Sequence, residues 1–577
     1  MKMKKTIALL LSLVSTCSLF ACGDDGDGNK LTLEVVGMDG GIGNQWLFNL
    51  EEEFEEKFAQ TQYGNRVGVN LEISQKQGLS KIDIAADAYA VYFAERADIQ
   101  QFGSAGAALD ITDIVMEEDE NGRSIDSLMT DQVKARFKNA EGRYYGIPHY
   151  NYYSGLSYDV ETFDKYFAYF ADSDNDSQVV SEHKSKYGNA TFIANVAAKK
   201  SCGPDGEFGT YDDGLPSSLQ ELIILCDYLK ESGVSPLVLS GQWKNMENYL
   251  IAGLWPALAG YDAMQTIYSF DGTIEAIKLD ANGNYIFTNE PLFEGIDYIK
   301  KPETEIIEIT QANGYRTTDM VEKYWAYAFT EAAMKEDFFD SASLMNTTSH
   351  TDAQSNLIFG SKAKGQNDKG MLMDGSYWWN ESVLAENFEN YAMHTGNSAE
   401  RKIRFMSMPT SLNTTTTEGE GEPVTLLDMG LGNTYVNNNI KNKPEVIAAV
   451  RDLLQFVYSD AKLREFTVTT GITRPLDYTL TEEDRSKLDG YSSALLHMTE
   501  VGRVVTCGGD NDIFRSYSTV LRICLSCVRF KNYWDGKPYS STYQAIEAGS
   551  NARTVMETSR IAPSEWGQYY SAASSQQ

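Results

Sequence analysis

The sequence predicts an α/β fold with mostly parallel sheets, because strand-like apolar runs alternate with helices along the chain. Residues 31–36 form such an apolar run, and a glycine turn separates this run from a helix. Apolar residues recur every three or four positions along that helix, at Leu47, Leu50, Phe54 and Phe58. A strand, a turn and a helix make one βα unit.

The same alternation appears at two later places. Ser218 and Glu221 have the spacing of a capping box, which predicts a helix over residues 219–230 and then a strand over residues 236–239. Pro444 stands at a first-turn position and predicts another helix. The apolar face of that helix carries Val446, Val450, Leu453 and Val457.

The N-terminus has the order of an export signal. Three lysines precede a short apolar run, and residues 19–22, with the letters LFAC, resemble the lipobox of bacterial lipoproteins. Residues 1–21 are therefore the predicted signal peptide, Cys22 the lipidated residue and residues 22–30 a flexible tether. The alternative is an ordinary secretory signal with an incidental cysteine. No later stretch reaches the roughly 18 apolar residues of a membrane span, so we expect the folded body to lie outside the cytoplasm.

The charge balance excludes nucleic-acid binding as the main task. The 577 residues include 49 Lys and Arg against 82 Asp and Glu, which gives a formal charge of −33. An excess of carboxylates repels the phosphate backbone that a nucleic-acid reader has to neutralise. A neutral ligand is the better expectation. The composition is 42% hydrophobic and 12% aromatic, which is sufficient for well-packed cores.

The cysteines form no disulfide framework. Five of the seven follow the predicted lipidation site, and an odd number cannot all pair within one chain. We favour buried thiols, with one disulfide or a metal or redox site as the alternatives. The five are Cys202, Cys226, Cys507, Cys524 and Cys527.

The sequence contains none of the common motifs of catalytic or nucleotide-binding sites. Trp46 stands where the third glycine of a dinucleotide fingerprint belongs, and the five histidines have no metal-ligand spacing. Glycoside hydrolysis needs only two carboxylates, so the sequence does not exclude it. We predict a binding protein that is not an enzyme and requires no cofactor.

Four segments, in the right order, resemble the extracellular solute-binding proteins of ABC importers. The resemblance is to the large carbohydrate-binding group, which occurs as lipoproteins in Gram-positive bacteria. The second segment contains GRYYGIP at residues 142–148, and the fourth contains GMLMDGSYWW at residues 370–379. The four segments span residues 31–58, 142–159, 206–243 and 370–475.

This resemblance implies a two-lobe, periplasmic-binding-protein-like fold of type II, with the ligand cleft between the lobes. Lobe one is expected at residues 31–148 plus 430–475, and lobe two at residues 149–429 plus 476–577. The implied function is that of a monomeric receptor, lipid-anchored at the extracellular face of the cell membrane. It binds a sugar or oligosaccharide and delivers it to ABC permease subunits. The alternatives are a secreted glycoside-active enzyme and a surface adhesion or signalling module on the same fold.

A sugar cleft needs aromatic rings for the C–H faces of the sugar and planar polar groups for its hydroxyls. Trp378 and Trp379 beside Asp374 supply both, and the resemblance implies a stacking tryptophan at this turn. Trp243 and Trp255 are further candidates. Core packing is the alternative for each of the four tryptophans.

Lobe one is expected to contribute polar contacts and tyrosines. The resemblance implies sugar contacts at Asp39, Glu95 and Arg96, which follow predicted strands. Tyr150 and Tyr152 flank the first crossing between the lobes, and the alternation of an extended chain puts them on one face.

Four carboxylates crowd the nine residues from 205 to 213, among glycines. This composition suits a structural Ca²⁺ loop, although we favour a solvated acidic turn. The candidate Ca²⁺ ligands are Asp205, Glu207, Asp212 and Asp213.

Overall fold

Two lobes, each built on one mixed sheet, make up the computed structural model. Among the residues that the structure describes, none of the helices is both long enough and apolar enough to cross a membrane. The described residues are 29–38, 40–76, 86–95, 99–119, 121–242, 247–398, 400–428, 432–506, 513, 542–547 and 549–574.

Lobe one contains a five-stranded sheet. Its strands are, in spatial order, Val69–Lys76, Leu31–Met38, Val91–Glu95, Gly432–Val436 and Ile147–Pro148. Helices that belong to this part of the chain are Gln45–Lys57, Ile99–Ser104, Thr112–Met116, Asp131–Phe137, Pro444–Val457 and Asp460–Thr470.

Lobe two contains a four-stranded sheet in the spatial order Ser235–Val238, Lys369–Gly375, Ser154–Asp159 and Ile403–Phe405. The helices of this part and of the C-terminal part are Val160–Tyr166, Leu219–Glu231, Glu247–Ser269, Val321–Lys335, His350–Phe359, Trp378–Leu384, Asn387–Thr395, Glu482–Ser486, Gly490–Val501, Thr542–Glu547, Ala552–Ser559 and Pro563–Ser574.

Five two-stranded ribbons and four short 3₁₀ turns decorate the lobes in the described part of the chain. The ribbons pair Gln62–Tyr63 with Arg66–Val67, Val180–Ser185 with Gly188–Ile193, Gly272–Ile277 with Thr304–Ile309, Phe287–Phe293 with Ile296–Pro302, and Thr425–Asp428 with Arg503–Thr506. The turns are Asp126–Leu128, Gly314–Asp319, Gly360–Lys362 and Asn438–Ile440.

The predicted helices form, and local sequence signals explain where they begin. Ser218 Oγ accepts a hydrogen bond from the Glu221 N–H at 3.2 Å, so the capping box opens the helix Leu219–Glu231. Pro444 opens the helix Pro444–Val457, whose Val450, Leu453 and Val457 are buried. Propensity and capping therefore agree with the tertiary fold in these segments.

The expectation of mostly parallel sheets needs a correction, because each sheet contains one strand that runs against the others. These strands are Gly432–Val436 and Ser154–Asp159. Gly432 pairs with Glu95, and Ser154 pairs with Gly375; in each pair the partner is the last residue of its own strand. A strand that enters the sheet at the edge where its neighbours end has to run back against them.

That edge is where the chain passes between the lobes. Ile147–Pro148 is the last strand before the first crossing, and Ser154–Asp159 is the first strand after it, so five residues, 149–153, connect the two sheets. The carboxyl ends of the parallel strands in both lobes therefore face the same crevice. In α/β proteins this is the place where ligands bind.

Several predicted features fall on residues outside the described part of the chain. The signal peptide, Cys22 and the tether to residue 28 lie outside the described residues, as do Cys507, Cys524 and Cys527. Cys202 and Cys226 are free, buried thiols, which agrees with the favoured interpretation for these two.

Candidate functional site

The candidate site is the cleft between the carboxyl ends of the two sheets. Gly43, in the turn after the first strand, meets Leu384 of the helix Trp378–Leu384, and a Cβ on Gly43 would lie 2.9 Å from Leu384 Cδ1. In the same helix, Asn380 Nδ2 donates a hydrogen bond to the Thr470 carbonyl at 2.6 Å. This helix of lobe two therefore lies directly against lobe one.

One aromatic pair joins the lobes at the end of the strand Lys369–Gly375. The rings of Tyr152 and Tyr377 stack with their centroids 5.0 Å apart and an interplanar angle of 23°. Tyr152 is buried in the core of lobe one, whereas Tyr377 is half-buried and packs against that core from lobe two. Among the described residues, this pair is the part of the cleft that most resembles a platform for an apolar sugar face.

Gly375 makes this stack feasible. A Cβ at this position would lie 2.2 Å from Tyr152 Cε2 and 2.6 Å from Tyr377 Cε1. Both rings therefore press on a backbone that has no side chain, and any larger residue would push them apart. The glycine is required here by close approach, not by an unusual backbone angle.

The structure places Trp378 in the core of lobe two and not at the cleft. Trp378 is 0% exposed, and its indole Nε1 donates to Ser157 Oγ at 2.9 Å. Its ring meets Tyr491 edge-on with centroids 5.7 Å apart. The indole ring of Trp378 is thus packed inside the protein, and its N–H has a hydrogen-bond acceptor there.

Trp379 is also buried, with 8% of its surface exposed. Its ring stacks on Tyr491 at 5.0 Å and 3°, and its Nε1 donates to Asp489 Oδ2 at 2.9 Å. Phe388 covers it further, with ring centroids 4.4 Å apart. The first turn of the helix directs Trp378 and Trp379 inward and leaves the preceding residue, Tyr377, at the lobe boundary.

Tyr377 was not among the residues that sequence reasoning selected. The signal that could have identified it is its position, two residues after the glycine that ends a buried strand. In an α/β sheet this position belongs to the binding edge. The resemblance instead implies a stacking tryptophan at this turn, which favours the two neighbours of Tyr377.

Asp374 lies beneath the cleft edge and not in it. The residue is 2% exposed, and its Oδ2 accepts from Gln354 Nε2 at 3.1 Å while its Oδ1 accepts from the Gly375 N–H at 2.7 Å. Burial raises the pKa of the Asp374 carboxyl above its usual range. Gln354 also donates to Glu381 Oε2 at 2.8 Å, so Asp374 positions the end of the strand through this network.

Tyr150 and Tyr152 share a face, as the alternation of the crossing predicts. Both are buried in the core of lobe one, while Tyr153 between the lobes packs into the core of lobe two. Tyr150 covers Gly432, where a Cβ would lie 2.4 Å from the Tyr150 ring. The crossing therefore contributes side chains to the cores of both lobes.

The remaining predicted ligand residues are one buried tryptophan, one residue at a strand end and three residues outside the described part of the chain. Trp255 is 1% exposed, and the Lys323 ammonium lies 5.1 Å from its ring centroid, so the structure places it in the core. Glu95 ends its strand and pairs with Gly432. Asp39, Arg96 and Trp243 lie outside the described residues, and their roles stay predictions.

A buried guanidinium holds the first crossing against lobe one, and sequence reasoning missed it. Arg474 is 1% exposed and lies over the rings of Trp46, Tyr458 and Phe466 at 5.1, 4.7 and 4.1 Å. Its Nη1 is 3.1 Å from Nδ1 of His149, the first residue of the crossing. Burial, and secondly the charge of Arg474, lower the pKa of His149, so the neutral imidazole accepts this hydrogen bond.

The acidic loop at residues 205–213 is closed by its own hydrogen bonds. Asp213 accepts from the Gly209 N–H at 2.9 Å, and Asp205 accepts from the Glu207 N–H at 2.8 Å. Asp212 is fully buried and accepts from Thr210 Oγ1 at 2.8 Å. No group of three His, Cys, Asp or Glu side chains with metal-site geometry occurs among the described residues. Ca²⁺ binding here stays a prediction, which these hydrogen bonds do not favour.

The buried carboxyl of Asp212 should make stability depend on pH. Burial, and secondly the nearby Asp205, raise the pKa of Asp212 in the folded protein. The unfolded chain then releases the proton at lower pH, so stability is lost as the pH rises above about 4. We expect Asp212→Asn to raise the free energy of unfolding at neutral pH and to flatten this decline. The amide can still accept from the Asp205 N–H and donate to the Thr210 hydroxyl.

Urea denaturation at mildly acidic and at neutral pH measures this effect. The exposed Glu418, in a neighbouring loop, provides the control substitution Glu418→Gln. A pH dependence of unfolding that is the same in wild type and Asp212→Asn would contradict the assignment.

Comparison with known proteins bears on the fold. No family model matches the sequence, and a search of curated proteins found no match either. The chain is similar to a chitin oligosaccharide binding protein, with 13% identity, a TM-score of 0.52 and coverage of 94% of this chain and 100% of that chain.

A second similar structure comes from work on xylan utilization by the thermophilic bacterium Caldanaerobius polysaccharolyticus. It shares 14% identity with this chain at a TM-score of 0.51 and covers 92% of this chain and 99% of its own. Both similarities extend over nearly the whole length. They confirm the predicted α/β, two-lobe, periplasmic-binding-protein-like fold.

Proposed function

We propose that this protein is an extracellular receptor that binds a sugar or oligosaccharide in the cleft and delivers it to an ABC permease. The observation that carries the proposal is the Tyr152–Tyr377 stack, which lies where the strand ends of the two lobes face each other. A half-buried ring at this position offers a flat apolar surface to the C–H face of a sugar.

Binding and closure are linked in this proposal. Tyr377 belongs to lobe two and rests on Tyr152 of the crossing, so only this ring would separate a ligand bound on Tyr377 from the element that connects the lobes. A ligand that touches both lobes favours the closed state in proportion to its additional contacts there. Closure then distinguishes a loaded receptor from an empty one for the permease.

The known proteins of this fold support an oligosaccharide as the ligand class. One is named as a chitin oligosaccharide binding protein, and another was studied in the context of xylan utilization. The negative charge of −33 favours a neutral ligand of this kind over a phosphorylated one. Chito-oligosaccharides and xylo-oligosaccharides are therefore the first ligands to test.

Membrane attachment through Cys22 is part of the same proposal. The letters LFAC at residues 19–22 support lipidation, and a lipid anchor keeps the receptor near its permease. We expect Cys22→Ala to move the protein from the membrane fraction into the medium or to leave it uncleaved. Membrane retention equal to that of wild type would contradict the anchor.

The direct test of binding is titration calorimetry of the purified protein with chito- and xylo-oligosaccharides of increasing length. We expect saturable binding of at least one series, with the sugar recovered intact after prolonged incubation. Turnover of more sugar than protein would favour a glycoside-active enzyme. Absence of binding to every sugar would contradict the proposed receptor function.

A further inference from the structure

A cavity in lobe two lies between the helix Glu247–Ser269 and the threonine-rich loop at residues 410–425. Its volume is about 510 Å³, which is within the range of roughly 300–1,000 Å³ that ligand pockets occupy. Tyr152 and Tyr377 are not among its lining residues, so it is separate from the stack at the cleft.

A break in the helix shapes one wall. Gly260 has φ 77° and ψ 168°, a conformation outside the helical region that glycine adopts without a steric penalty. A Cβ on Gly260 would meet nothing within 4 Å, so open space adjoins the break. The next two residues, Tyr261 and Asp262, line the cavity instead of continuing the packed face of the helix.

Tyr261 and Arg503 form a platform on this wall. The Arg503 guanidinium lies 5.4 Å from the Tyr261 ring centroid. The Tyr261 hydroxyl accepts a hydrogen bond from Gln132 Nε2 at 2.9 Å, which fixes the ring. A fixed ring beside a planar cation is a surface that suits both the C–H face and the hydroxyl rim of a sugar.

The polar groups around the platform are available to a ligand. Within the described residues, the side chains of Arg503, Asp262 and Glu422 make no ion pair or side-chain hydrogen bond. Ser411, five threonines and Glu420 complete the polar lining. Of these, Thr415 donates to Glu221 and Glu420 accepts from Thr417. One guanidinium against three carboxylates disfavours an anion, whereas hydroxyls, carboxylates and a guanidinium together can pair with the donors and acceptors of a neutral polyol.

The opposite wall, the threonine-rich loop, is held in place by close contacts with the acidic loop at residues 205–213. Gly421 packs so closely on Asp205 that a Cβ would lie 2.0 Å from its carbonyl carbon. The Gly419 N–H donates to the Gly206 carbonyl at 3.0 Å. The acidic loop therefore supports the threonine-rich loop, and the cavity is formed before any ligand arrives.

We infer that this cavity is a second saccharide site, outside the cleft, for a neutral sugar stacked on Tyr261 and hydrogen-bonded by Arg503 and Glu422. It goes beyond the proposed receptor function and does not require it. Its wall is also connected to lobe one, because Thr425 pairs with Arg503 on the strand Arg503–Thr506, and Gln132 Oε1 of lobe one accepts from the Thr506 N–H at 3.3 Å.

Hydrogen exchange of the purified protein with chito- and xylo-oligosaccharides tests this site by its location. The background is Tyr377→Ala, in which binding at the cleft is weakened. We expect at least one sugar to protect the backbone amides at residues 257–263 and 410–425 in a saturable manner. Arg503→Ala and Glu422→Gln, added to this background, should weaken that protection tenfold or more.

Glu418→Gln is the matched control, because Glu418 belongs to the same exposed loop but does not line the cavity. It should leave the protection unchanged. If no sugar protects these two segments, or if protection is equal with and without Arg503, the second site does not exist. Failure of the cleft proposal is distinguishable, since it would appear as wild-type calorimetry that Tyr377→Ala does not alter.

Discussion

Trp378→Ala is expected to lower the free energy of unfolding by about 3–5 kcal/mol, which is the cost of removing a large aromatic side chain from a core. Trp378 is 0% exposed and packs edge-on against both Trp379 and Tyr491, so no neighbour can fill its volume without moving. Urea denaturation followed by circular dichroism measures the loss. Sugar affinity of the folded fraction should change little.

Ser157→Ala is the control for the hydrogen bond alone. It removes the acceptor of the Trp378 indole N–H and should cost about 1–3 kcal/mol, because a buried donor is left unpaired. The contribution of packing is the difference between the two variants. If Trp378→Ala left stability intact and abolished sugar binding, Trp378 would line the cleft and its placement in the core would be wrong.

Tyr377→Ala is expected to weaken sugar binding by about thirtyfold, with a small effect on stability. An aromatic anchor at the centre of a binding surface contributes about 2 kcal/mol or more, which corresponds to roughly a factor of 30 in the dissociation constant. Tyr377 is half-buried, so its removal costs the core less than the removal of Trp378. Titration calorimetry with the best oligosaccharide measures the change.

Tyr377→Phe separates the ring from the hydroxyl. If the ring is the platform, this variant should keep affinity within about threefold of wild type, because the stacking surface is unchanged. Equal losses in the Phe and Ala variants would assign binding to the hydroxyl. Wild-type affinity in both would place the sugar elsewhere in the cleft.

Local signals predicted the secondary structure well but not which way each strand runs. The capping box at Ser218 and the proline at residue 444 act on the nearest turn of the chain, and the helices begin where these residues stand. The reversed strands Ser154–Asp159 and Gly432–Val436 depend on where the chain re-enters each sheet. Strand direction therefore depends on how the chain connects the lobes, and hydrophobic periodicity contains no information about that connection.

The tryptophans show the same limit at the site. Adjacent aromatic residues predict one buried and one exposed ring, yet Trp378 and Trp379 are both buried. Tyr491 packs against both rings, and Phe388 covers Trp379. A local sequence pattern does not predict a packing partner such as Tyr491, which lies more than a hundred residues away. The least buried member of the run is the half-buried Tyr377, which precedes both.

Arg474 is an extreme case of the same problem. Arginine is mostly exposed in proteins, so the sequence alone predicts Arg474 at the surface. In the structure, three aromatic rings enclose the Arg474 guanidinium, and His149 forms a hydrogen bond with it. These partners come from three separate stretches of the chain. Only the folded structure brings them together at the first crossing.

Small-angle X-ray scattering of the purified protein, with and without its best oligosaccharide, tests most directly whether the two lobes close on a sugar. We predict that saturating sugar lowers the radius of gyration of wild type, and that Tyr377→Ala at the same sugar concentration shows a smaller decrease or none. A radius of gyration that does not change when calorimetry reports full saturation would contradict closure of the lobes around a ligand in the cleft.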